Sequence, residues 1–316
     1  MRWTKRLRDL GILGLNARNA EFILPYNKRR FYPRVDDKLE TKRRALEKGI
    51  HVPDLYQVIE IERQNRNFST LLAPYQDFVL KPAKGSGGDG IWVITGKRQG
   101  KWVKSSGALV SEDDLQFHVS NILSGMYSLG GAADTAFFEY RVKIDAVFEK
   151  VSYGGVPDVR VILFRGIPVM AMLRLPTQAS DGKANLHQGA VGAGVDLDTG
   201  LTTNGVCLNM QITQHPDTGE SIRDIQIPTW DDFLILASKC YGLAELDYLG
   251  VDMVLDAQRG PLVLELNARP GLSIQICNRI GLKQRLNVVK NLTSIPPYAE
   301  DRVALMREHL RLAQPN

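Results

Sequence analysis

The sequence contains little cysteine and no long hydrophobic segment. Its three cysteines, Cys207, Cys240 and Cys277, stand far apart without a C-x-x-C pair, so neither a disulfide framework nor a zinc knuckle is indicated. No apolar run approaches the roughly 18 residues of a membrane-spanning helix, and no internal repeat or low-complexity tract occurs. We therefore expect a cytoplasmic globular protein without a membrane span, and we exclude solenoids and repeat arrays.

Several motifs of well-known nucleotide enzymes are also missing. The chain has no G-x-x-x-x-G-K-[ST] of a P-loop protein and no H-R-D or D-F-G of a protein kinase. Its basic clusters at Lys28–Arg30 and Lys42–Arg44 lack the interleaved aromatic residues of a single-strand nucleic-acid groove. No nucleic-acid partner is expected, and the net charge of +5 is interpreted as a solvated face or as an attraction for anionic ligands such as nucleotides.

Glycines are abundant in the stretch FVLKPAKGSGGDGIWVI, residues 78–94, where they follow the spacing G-x-G-x-x-G. A dinucleotide-binding turn needs a helix after the glycines, but the apolar residues on both sides predict strands here. We therefore predict a strand, a flexible glycine loop and a second strand, and the backbone N–H groups of such a loop can contact phosphates. Lys81 at the end of the first strand would add a positive charge. The alternative is an ordinary glycine-rich hairpin with an exposed lysine.

The stretch LGVDMVLDAQRGPLVLELNARPG, residues 249–271, predicts a β-hairpin in which two apolar strands flank the turn DAQRG. The predicted strands cover about 251–255 and 261–267. If Leu255 pairs with Leu262, Asp252 faces Glu265 across the two strands.

This arrangement predicts a metal site. Glu265 and Asn267 share a face because side chains alternate along a strand, and two directly opposed carboxylates are destabilising unless a cation lies between them. Asp252, Glu265 and Asn267 offer hard oxygen ligands without a thiolate or a histidine, which favours Mg²⁺ or Mn²⁺. An edge hairpin with exposed acids is the alternative, and the apolar context of both strands argues against it.

The order of predicted elements indicates an α+β protein with mostly antiparallel strands, because the alternating strand–helix–strand pattern of a parallel sheet is missing. Helices are predicted from Asp37 to Gly49, near residues 114–128 and near residues 229–246.

Five motifs together resemble the ATP-grasp superfamily. They are D-K-x-x-x-K at Asp37–Lys42, K-P-x-x-G-S-G-G-x-G-I from Lys81, F-E-Y from Phe138, G-V-D from Gly250 and L-E-L-N-A-R-P-G from Leu264. Within the superfamily, DVRVILFRGIPVMAMLR followed by DGKANLHQGA is similar to the RimK-like α-L-glutamate ligase branch. The resemblance covers about residues 36–285 and implies an α+β ATP-grasp fold, in which two subdomains with antiparallel sheets clasp ATP.

The resemblance also implies a division of the chain. A short N-terminal lead segment, residues 1–36, stands where family members carry a whole domain, and the ATP-grasp domain follows at residues 37–290. Within it, residues 37–138 contain the glycine-loop lid and residues 139–290 the metal and substrate residues. Residues 291–316 are expected to form a helical tail.

Residue roles follow from the resemblance position by position. The phosphates of ATP are expected to contact Lys42, Lys81, Gly85, Ser86, Gly87, Gly88 and Gly90, with Lys38 as a further basic contact. The adenine hinge matches Glu139, Tyr140 and Val142, and Asp145 matches a ribose partner. The two-magnesium site matches Asp252, Glu265 and Asn267. Positions that face the γ-phosphate or the substrate carboxylate match Arg160, Arg174, Asn185 and His187.

The residues themselves support part of this assignment. Arg160 and Arg174 alternate into apolar strands, where an unpaired charge is costly. A substrate carboxylate or phosphate is the expected partner, and a structural ion pair with a neighbouring acid is the alternative. His187 lies in a polar, glycine-flanked loop, which favours a substrate contact over a structural role.

The resemblance implies an ATP-dependent carboxylate–amine ligase that works through an acyl phosphate, with glutamate or another acidic amino acid or peptide as a reactant. A phosphotransferase and a nucleotide-binding partner protein without turnover are the alternatives. Gln188 stands where the branch usually has arginine, Arg269 replaces a small residue, and the lead segment is short, so the substrate stays open. A second subunit or a partner protein could complete the substrate pocket.

Overall fold

The computed structural model describes residues 2–85 and 87–310. They form two compact units. The small unit consists of Asp37–Leu39 and Pro53–Val142, and the large unit of the residues up to Asp36, Glu40–Val52 and the residues from Lys143 onward. The expected division between residues 138 and 139 falls four residues before the end of the small unit. The expected lead segment and the described part of the expected tail both belong to the large unit.

The helices are mostly short. The α-helices are α1 (Arg2–Asp9), α2 (Leu15–Arg18), α3 (Pro33–Asp36), α4 (Lys38–Glu47), α5 (Phe68–Leu72), α6 (Glu112–Leu123), α7 (Ala146–Glu149), α8 (Trp230–Lys239), α9 (Tyr241–Ala244), α10 (Ile274–Asn278), α11 (Leu282–Lys290) and α12 (Ala299–Leu310). A π-helical turn covers Asn19–Ile23, and 3-10 turns cover Arg29–Phe31, Glu62–Asn67, Leu129–Gly131 and Leu186–Gln188. Among the described helices, none combines the length and the apolar character that a membrane crossing requires.

The small unit is built on a six-stranded antiparallel sheet. Its strands are β1 (Leu55–Ile59), β2 (Phe78–Pro82), β3 (Trp92–Arg98), β4 (Lys101–Lys104), β5 (Leu109–Val110) and β6 (Ala136–Glu139), in the order β1-β6-β2-β3-β4-β5. Helix α6 begins with a capping box in which Ser111 and Asp114 exchange hydrogen bonds. Its face with Leu115, Val119 and Ile122 packs into the core of this unit. The predicted strand, glycine loop and strand are confirmed as β2, the loop and β3.

The large unit is built on a seven-stranded antiparallel sheet. Its strands are β7 (Asp158–Phe164), β8 (Ile167–Leu175), β9 (Val191–Val195), β10 (Thr202–Cys207), β11 (Met210–Ile212), β12 (Tyr248–Asp256) and β13 (Gly260–Asn267), in the order β11-β10-β9-β8-β7-β12-β13. Helices α8, α11 and α12 pack against this sheet, and α10 covers β9 and β10. The predicted α+β class with antiparallel strands is confirmed.

The predicted hairpin is formed by β12 and β13, and Asp252 pairs directly with Glu265 as predicted. The predicted pairing of Leu255 with Leu262 is wrong, because Leu255 lies opposite Pro261. A β-bulge after Asp252 shifts the register by one residue. Sequence alternation alone does not reveal such a bulge, because apolar residues lie opposite apolar residues in both the predicted and the observed pairing.

The N-terminal segment is fastened to the large unit by buried side chains. The Asn27 amide accepts a hydrogen bond from the backbone N–H of Tyr248 (2.9 Å) and donates one to its carbonyl (2.7 Å). Gln275 forms the same two-way contact with the backbone of Leu13, at 2.8 and 3.0 Å. Arg18 donates to the Pro270 carbonyl at 2.7 Å. These contacts satisfy backbone groups that would otherwise be buried without partners.

We predict that Asn27→Ala destabilises the large unit. The substitution leaves a buried N–H and a buried C=O of Tyr248 without their side-chain partner, so the free energy of unfolding should fall by about 2 kcal/mol. Chemical denaturation measures this change. Asn16→Ala, at an exposed position of α2, serves as the control and should change stability by less than about 0.5 kcal/mol. Equal stability of the two variants would contradict the prediction.

Candidate functional site

Charged side chains are collected on one face of the large sheet. Asp158 and Arg160 lie two residues apart on β7 and therefore point to the same face. In the sheet register Asp158 pairs with Arg174 of β8, and Arg160 pairs with Asp252 of β12. Glu265 extends the row on β13. The fold thus brings together four of the predicted site residues that lie up to about a hundred positions apart in the chain.

These residues form a buried ion-pair network. Arg160 donates from Nε and Nη2 to the two carboxylate oxygens of Asp252, at 2.6 and 2.5 Å. Arg174 donates to the same Asp252 at 2.8 Å and also holds Asp158 with two N–H groups. The structural ion pair considered for both arginines is therefore present. Their predicted contact with substrate carboxylate or phosphate stays a prediction, and it would add to these pairs.

The two aspartates respond differently to burial. For Asp252, desolvation favours the protonated form, but Arg160 and Arg174 outweigh it and hold the pKa below its usual range. For Asp158, desolvation prevails over the attraction of Arg174 and raises the pKa above its usual range. The pKa of Arg174 is raised because its two carboxylate partners outweigh its own desolvation. Asp252 therefore keeps its negative charge at neutral pH.

The residues predicted to bind metal converge beside this network. The Asn267 amide nitrogen lies 3.2 Å from Asp252 Oδ2 and 3.4 Å from Glu265 Oε1. A half-turn of that amide would present its oxygen instead. The described residues contain no cluster of three histidine, cysteine, aspartate or glutamate side chains placed to hold a metal ion, so a cation here would use the Asn267 oxygen as its third ligand. This hard-oxygen set fits Mg²⁺ or Mn²⁺.

Asp158 was missed in the sequence. It is buried and holds Arg174, so it is as much a part of the network as the predicted residues. The spacing could have identified it, because Asp158 precedes Arg160 by two positions on one strand and the two side chains therefore share a face. A charged pair at that spacing in an apolar strand indicates a polar spot on a buried sheet face.

Asn185 and His187 lie in the loop that leads into β9. Asn185 caps the 3-10 turn at Leu186–Gln188, and its side-chain oxygen accepts from the His187 backbone N–H at 3.0 Å. His187 is one of the residues that line a cavity of about 210 Å³ within the large unit. Asn185 therefore has a local role in shaping this turn, and His187 is placed beside a space that a ligand could fill.

The cavity is lined by apolar and polar residues, and the apolar ones are more numerous. Its apolar lining consists of Leu186, Ala190, Val206, Leu208, Ile276 and Cys277. Its polar lining consists of His187, Asn209 and Ser273. The loop before β9, the turn between β10 and β11 and helix α10 each contribute a part of this wall.

The glycine loop lies in the small unit. Gly87, Gly88 and Gly90 have φ angles of +67°, +83° and +76°, which residues with a side chain rarely adopt. A Cβ atom at Gly90 would lie 2.6 Å from the Tyr127 ring, so glycine is also required there by space. Ser86, which was predicted to contact phosphate, lies outside the described residues.

Both ends of the glycine loop are fixed by side chains. At the start, the Lys84 backbone N–H donates to Asp134 (3.0 Å), and Lys38 Nζ donates to the Gly85 carbonyl. At the end, His118 Nε2 donates to the Gly90 carbonyl at 2.8 Å. The loop is therefore held at its two ends by groups outside it.

His118 was not recognised in the sequence as a functional residue. Its ring stacks on Trp92 with centroids 4.0 Å apart, and only 3% of the residue is exposed. Burial lowers the pKa of His118 below its ordinary value, so the ring is neutral at pH 7. A neutral ring that donates from Nε2 accepts at Nδ1, where the Tyr127 hydroxyl lies 3.3 Å away.

Lys81 and the predicted hinge residues Glu139 and Tyr140 form an ion pair and a backbone hydrogen bond within the small unit. Lys81 forms an ion pair with Glu139, which is buried. The Tyr140 backbone N–H donates to the Asp54 carbonyl at 2.9 Å. That N–H is therefore not free for adenine, and the contacts of Glu139, Tyr140 and Val142 with adenine stay predictions.

The two remaining predicted nucleotide contacts lie in the large unit. Lys42 is on α4 and is 5% exposed. Asp145 caps α7 by accepting from the Val147 backbone N–H at 3.0 Å, so one of its carboxylate oxygens has a local structural role. The roles of Lys42 with phosphate and of Asp145 with ribose stay predictions.

The chain is similar to several solved protein structures. The ATP-grasp ligase PsnB, complexed with a minimal precursor, has 15% identity and a TM-score of 0.44, and the match covers 84% of this chain and 63% of that chain. A D-alanine–D-alanine ligase from Bacillus anthracis has 15% identity and a TM-score of 0.44, covering 88% of this chain and 68% of that one. A RimK domain ATP-grasp protein from Sphaerobacter thermophilus DSM 20745 has 14% identity and a TM-score of 0.45, covering 83% and 69%. The chain thus spans less than two thirds of the length of PsnB.

Sequence comparison identifies the family. No curated protein shows significant sequence similarity to the chain. The family described as sugar-transfer associated ATP-grasp matches residues 17–291. The superfamily predicted from the motifs is confirmed by this match, which covers most of the chain, and the protein belongs to the sugar-transfer associated ATP-grasp family.

Proposed function

We propose that the protein is an ADP-forming carboxylate–amine ligase. The observation that carries the proposal is the position of Asp252, Glu265 and Asn267 beside Arg160 and Arg174 on one sheet face, in a chain that belongs to an ATP-grasp family. Carboxylate and amide oxygens are suitable ligands for the metal that accompanies a nucleoside triphosphate. Guanidinium groups are suitable partners for the γ-phosphate and for the carboxylate of the substrate.

The proposed reaction has two steps. A carboxylate oxygen of the acid attacks the γ-phosphorus of ATP, the bond to the bridging oxygen of ADP breaks, and an acyl phosphate forms. The amine nitrogen then attacks the acyl carbon, inorganic phosphate leaves, and the nitrogen loses a proton to give the amide. When bound, Mg²⁺ would neutralise part of the negative charge of the phosphates.

The chain's own residues have defined tasks in this scheme. Asp252 stays ionised because Arg160 and Arg174 hold it, so it can serve as a ligand at neutral pH. We assign the two arginines to the charge that develops on the transferring phosphoryl group and the acid, where preorganised donors contribute most to catalysis. We assign the glycine loop of the small unit and its neighbour Lys81 to the phosphates of ATP.

The substrates are the finer part of the proposal. Glutamate or another acidic amino acid or peptide is the reactant expected from the sequence, and the family name adds sugar acids and amino sugars to the reactants that need testing. The cytoplasmic location and a second subunit or partner that completes the substrate pocket stay predictions.

The function is tested by ADP release from purified protein with Mg-ATP and pooled reactants, followed by mass spectrometry of the same mixture. Amino acids including glutamate, uronic acids and amino sugars form the pool. ADP together with a product lighter by one water than its two reactants supports a ligase. A phosphorylated product that does not proceed to an amide indicates a phosphotransferase, and binding of ATP without any turnover indicates a nucleotide-binding protein.

We predict that Glu265→Gln abolishes turnover. The variant keeps the size of the side chain but removes one anionic ligand, and metal-based stabilisation of the transition state contributes several kcal/mol. ADP release at saturating Mg-ATP should therefore fall by about a hundredfold or more. Glu300→Gln provides the control, because it removes an exposed carboxylate whose ion pair with Lys239 also lies at the surface. Near wild-type turnover of Glu265→Gln would show that the metal assignment is wrong.

We predict that His118→Phe weakens ATP binding. Phenylalanine can still stack on Trp92, but it cannot donate to the Gly90 carbonyl at the end of the glycine loop. Loss of one buried hydrogen bond corresponds to a rise of about tenfold in the Kd for Mg-ATP. Titration with a non-hydrolysable ATP analogue measures the change directly.

Two further variants separate loop positioning from general destabilisation. His118→Gln keeps an N–H donor and should recover most of the affinity. Val119→Ala makes a cavity in the core on the same helix without touching the loop, so it should lower stability but leave the Kd unchanged. An equal loss of affinity in His118→Phe and Val119→Ala would contradict the positioning role.

A further inference from the structure

We propose that the cavity beside His187 binds a small, uncharged apolar group carried by one of the two reactants. This inference rests on the proposed ligase function, because only a ligase would make the bound molecule one of two reactants. It extends that function by naming the chemistry of a substrate subsite, and it differs from the acidic substrate expected from the sequence.

The wall of the cavity carries little charge. Among the described residues that line it there is no carboxylate, lysine or arginine, and six of the lining side chains are apolar. Burial raises the pKa of the Cys277 thiol to about 12, so this part of the wall is uncharged at neutral pH. A carboxylate side chain placed here would lose hydration without an arginine or lysine in the wall to pair with, and this loss is costly.

The cavity lies on the same sheet face as the ion-pair network. In the register of the sheet, Arg174 pairs with Gly192 of β9, and Gly192 pairs with Val206 of β10, which lines the cavity. Directly paired residues point to the same face of a sheet, and neighbouring strands lie about 4.8 Å apart. The backbone of Val206 is therefore about 10 Å from that of Arg174 across the sheet, a distance that one amino-acid-sized reactant can span.

Gly192 allows close packing beside the cavity. A Cβ atom at Gly192 would lie 2.6 Å from Cys277 Sγ and 2.8 Å from Leu186 Cδ2, two atoms of lining residues. The absence of a side chain lets helix α10 and the loop before β9 approach the sheet closely. Leu186 and Cys277, which both line the cavity, are therefore positioned by close packing against β9.

The outer edge carries an apolar side chain in an unfavourable conformation. Leu208 and Asn209 form the two-residue turn between β10 and β11, with φ angles of +47° and +66°. Such turns favour asparagine or glycine at both positions, and a left-handed leucine costs about 1 kcal/mol or more. Leu208 is nevertheless 58% exposed, as Ile276 is at 47%. A ligand group in the cavity would cover both side chains.

The size of the cavity limits the ligand group. An apolar cavity of about 150 Å³ accommodates benzene, and the cavity here measures about 210 Å³. Pockets for complete drug-sized ligands begin near 300 Å³. The space suits a leucine-sized or phenylalanine-sized side chain, while the reacting carboxylate or amine of the same molecule stays outside it.

The test measures binding of three small probes to the full chain by NMR. N-acetyl-leucine offers the apolar group with a carboxylate, leucine amide offers it with an amine, and N-acetyl-glutamate offers an acidic group of similar size. We expect at least one leucine probe to bind, with shifts of the backbone amides of Gly192 and Asn209. The probe that binds identifies whether the acid or the amine carries the apolar group.

Two variants on one turn provide the comparison. Leu208→Asn removes an apolar wall residue and relieves the left-handed leucine, so folding is not impaired. Met210→Asn changes an exposed apolar residue of the same hairpin that does not line the cavity. The Kd of the leucine probe should rise about tenfold in Leu208→Asn and stay unchanged in Met210→Asn, while any binding of N-acetyl-glutamate is equal in all three proteins.

Other results overturn the assignment. Failure of both leucine probes to bind, an unchanged Kd in Leu208→Asn, or shifts of the same amides by N-acetyl-glutamate would each show that the cavity does not select an apolar group. Absence of ADP release with every reactant, together with retained binding of a leucine probe, would contradict the ligase proposal and support the cavity assignment. Failure of one proposal is thus distinguishable from failure of the other.

Discussion

The buried contact of Asp252 with two arginines is the constraint on which the site of the large unit depends. Arg160 and Arg174 both donate to this carboxylate, and Arg174 also holds Asp158. Removing such groups from water costs several kcal/mol for each ion, and an apolar replacement of the whole network is often as stable. The network is therefore better explained by the charge it presents to a ligand than by a contribution to folding.

The same constraint determines the charge state of the site. At Asp158, burial and the charge of Asp252 prevail over the attraction of the arginines, whereas at Asp252 burial is outweighed by the two arginines, so the pKa values of the two carboxylates are displaced in opposite directions. An ionised Asp252 next to Glu265 and Asn267 is the arrangement that a hard divalent cation requires. A metal bound there would further favour the ionised form of its ligands.

Glycine has two different tasks in this protein. In the small unit, Gly87, Gly88 and Gly90 give the loop its left-handed backbone, and His118 and Asp134 hold its ends. In the large unit, Gly192 lies in an extended strand, where its missing side chain lets Cys277 and Leu186 pack closely against the sheet. The first task concerns backbone conformation, and the second concerns space.

The sequence by itself determined the features that depend on neighbouring residues. Alternation and turn chemistry were enough to predict the β12–β13 hairpin with Asp252 opposite Glu265, and the apolar flanks were enough to place the glycine loop between two strands. Only the tertiary structure decided the bulge after Asp252, the pairing of Asp158 with Arg174, the contact of His118 with Gly90 and the cavity beside His187. Those features arise where strands, loops and helices from distant parts of the chain pack together. Their geometry depends on the packing of both partners, and a local sequence pattern contains only one of them.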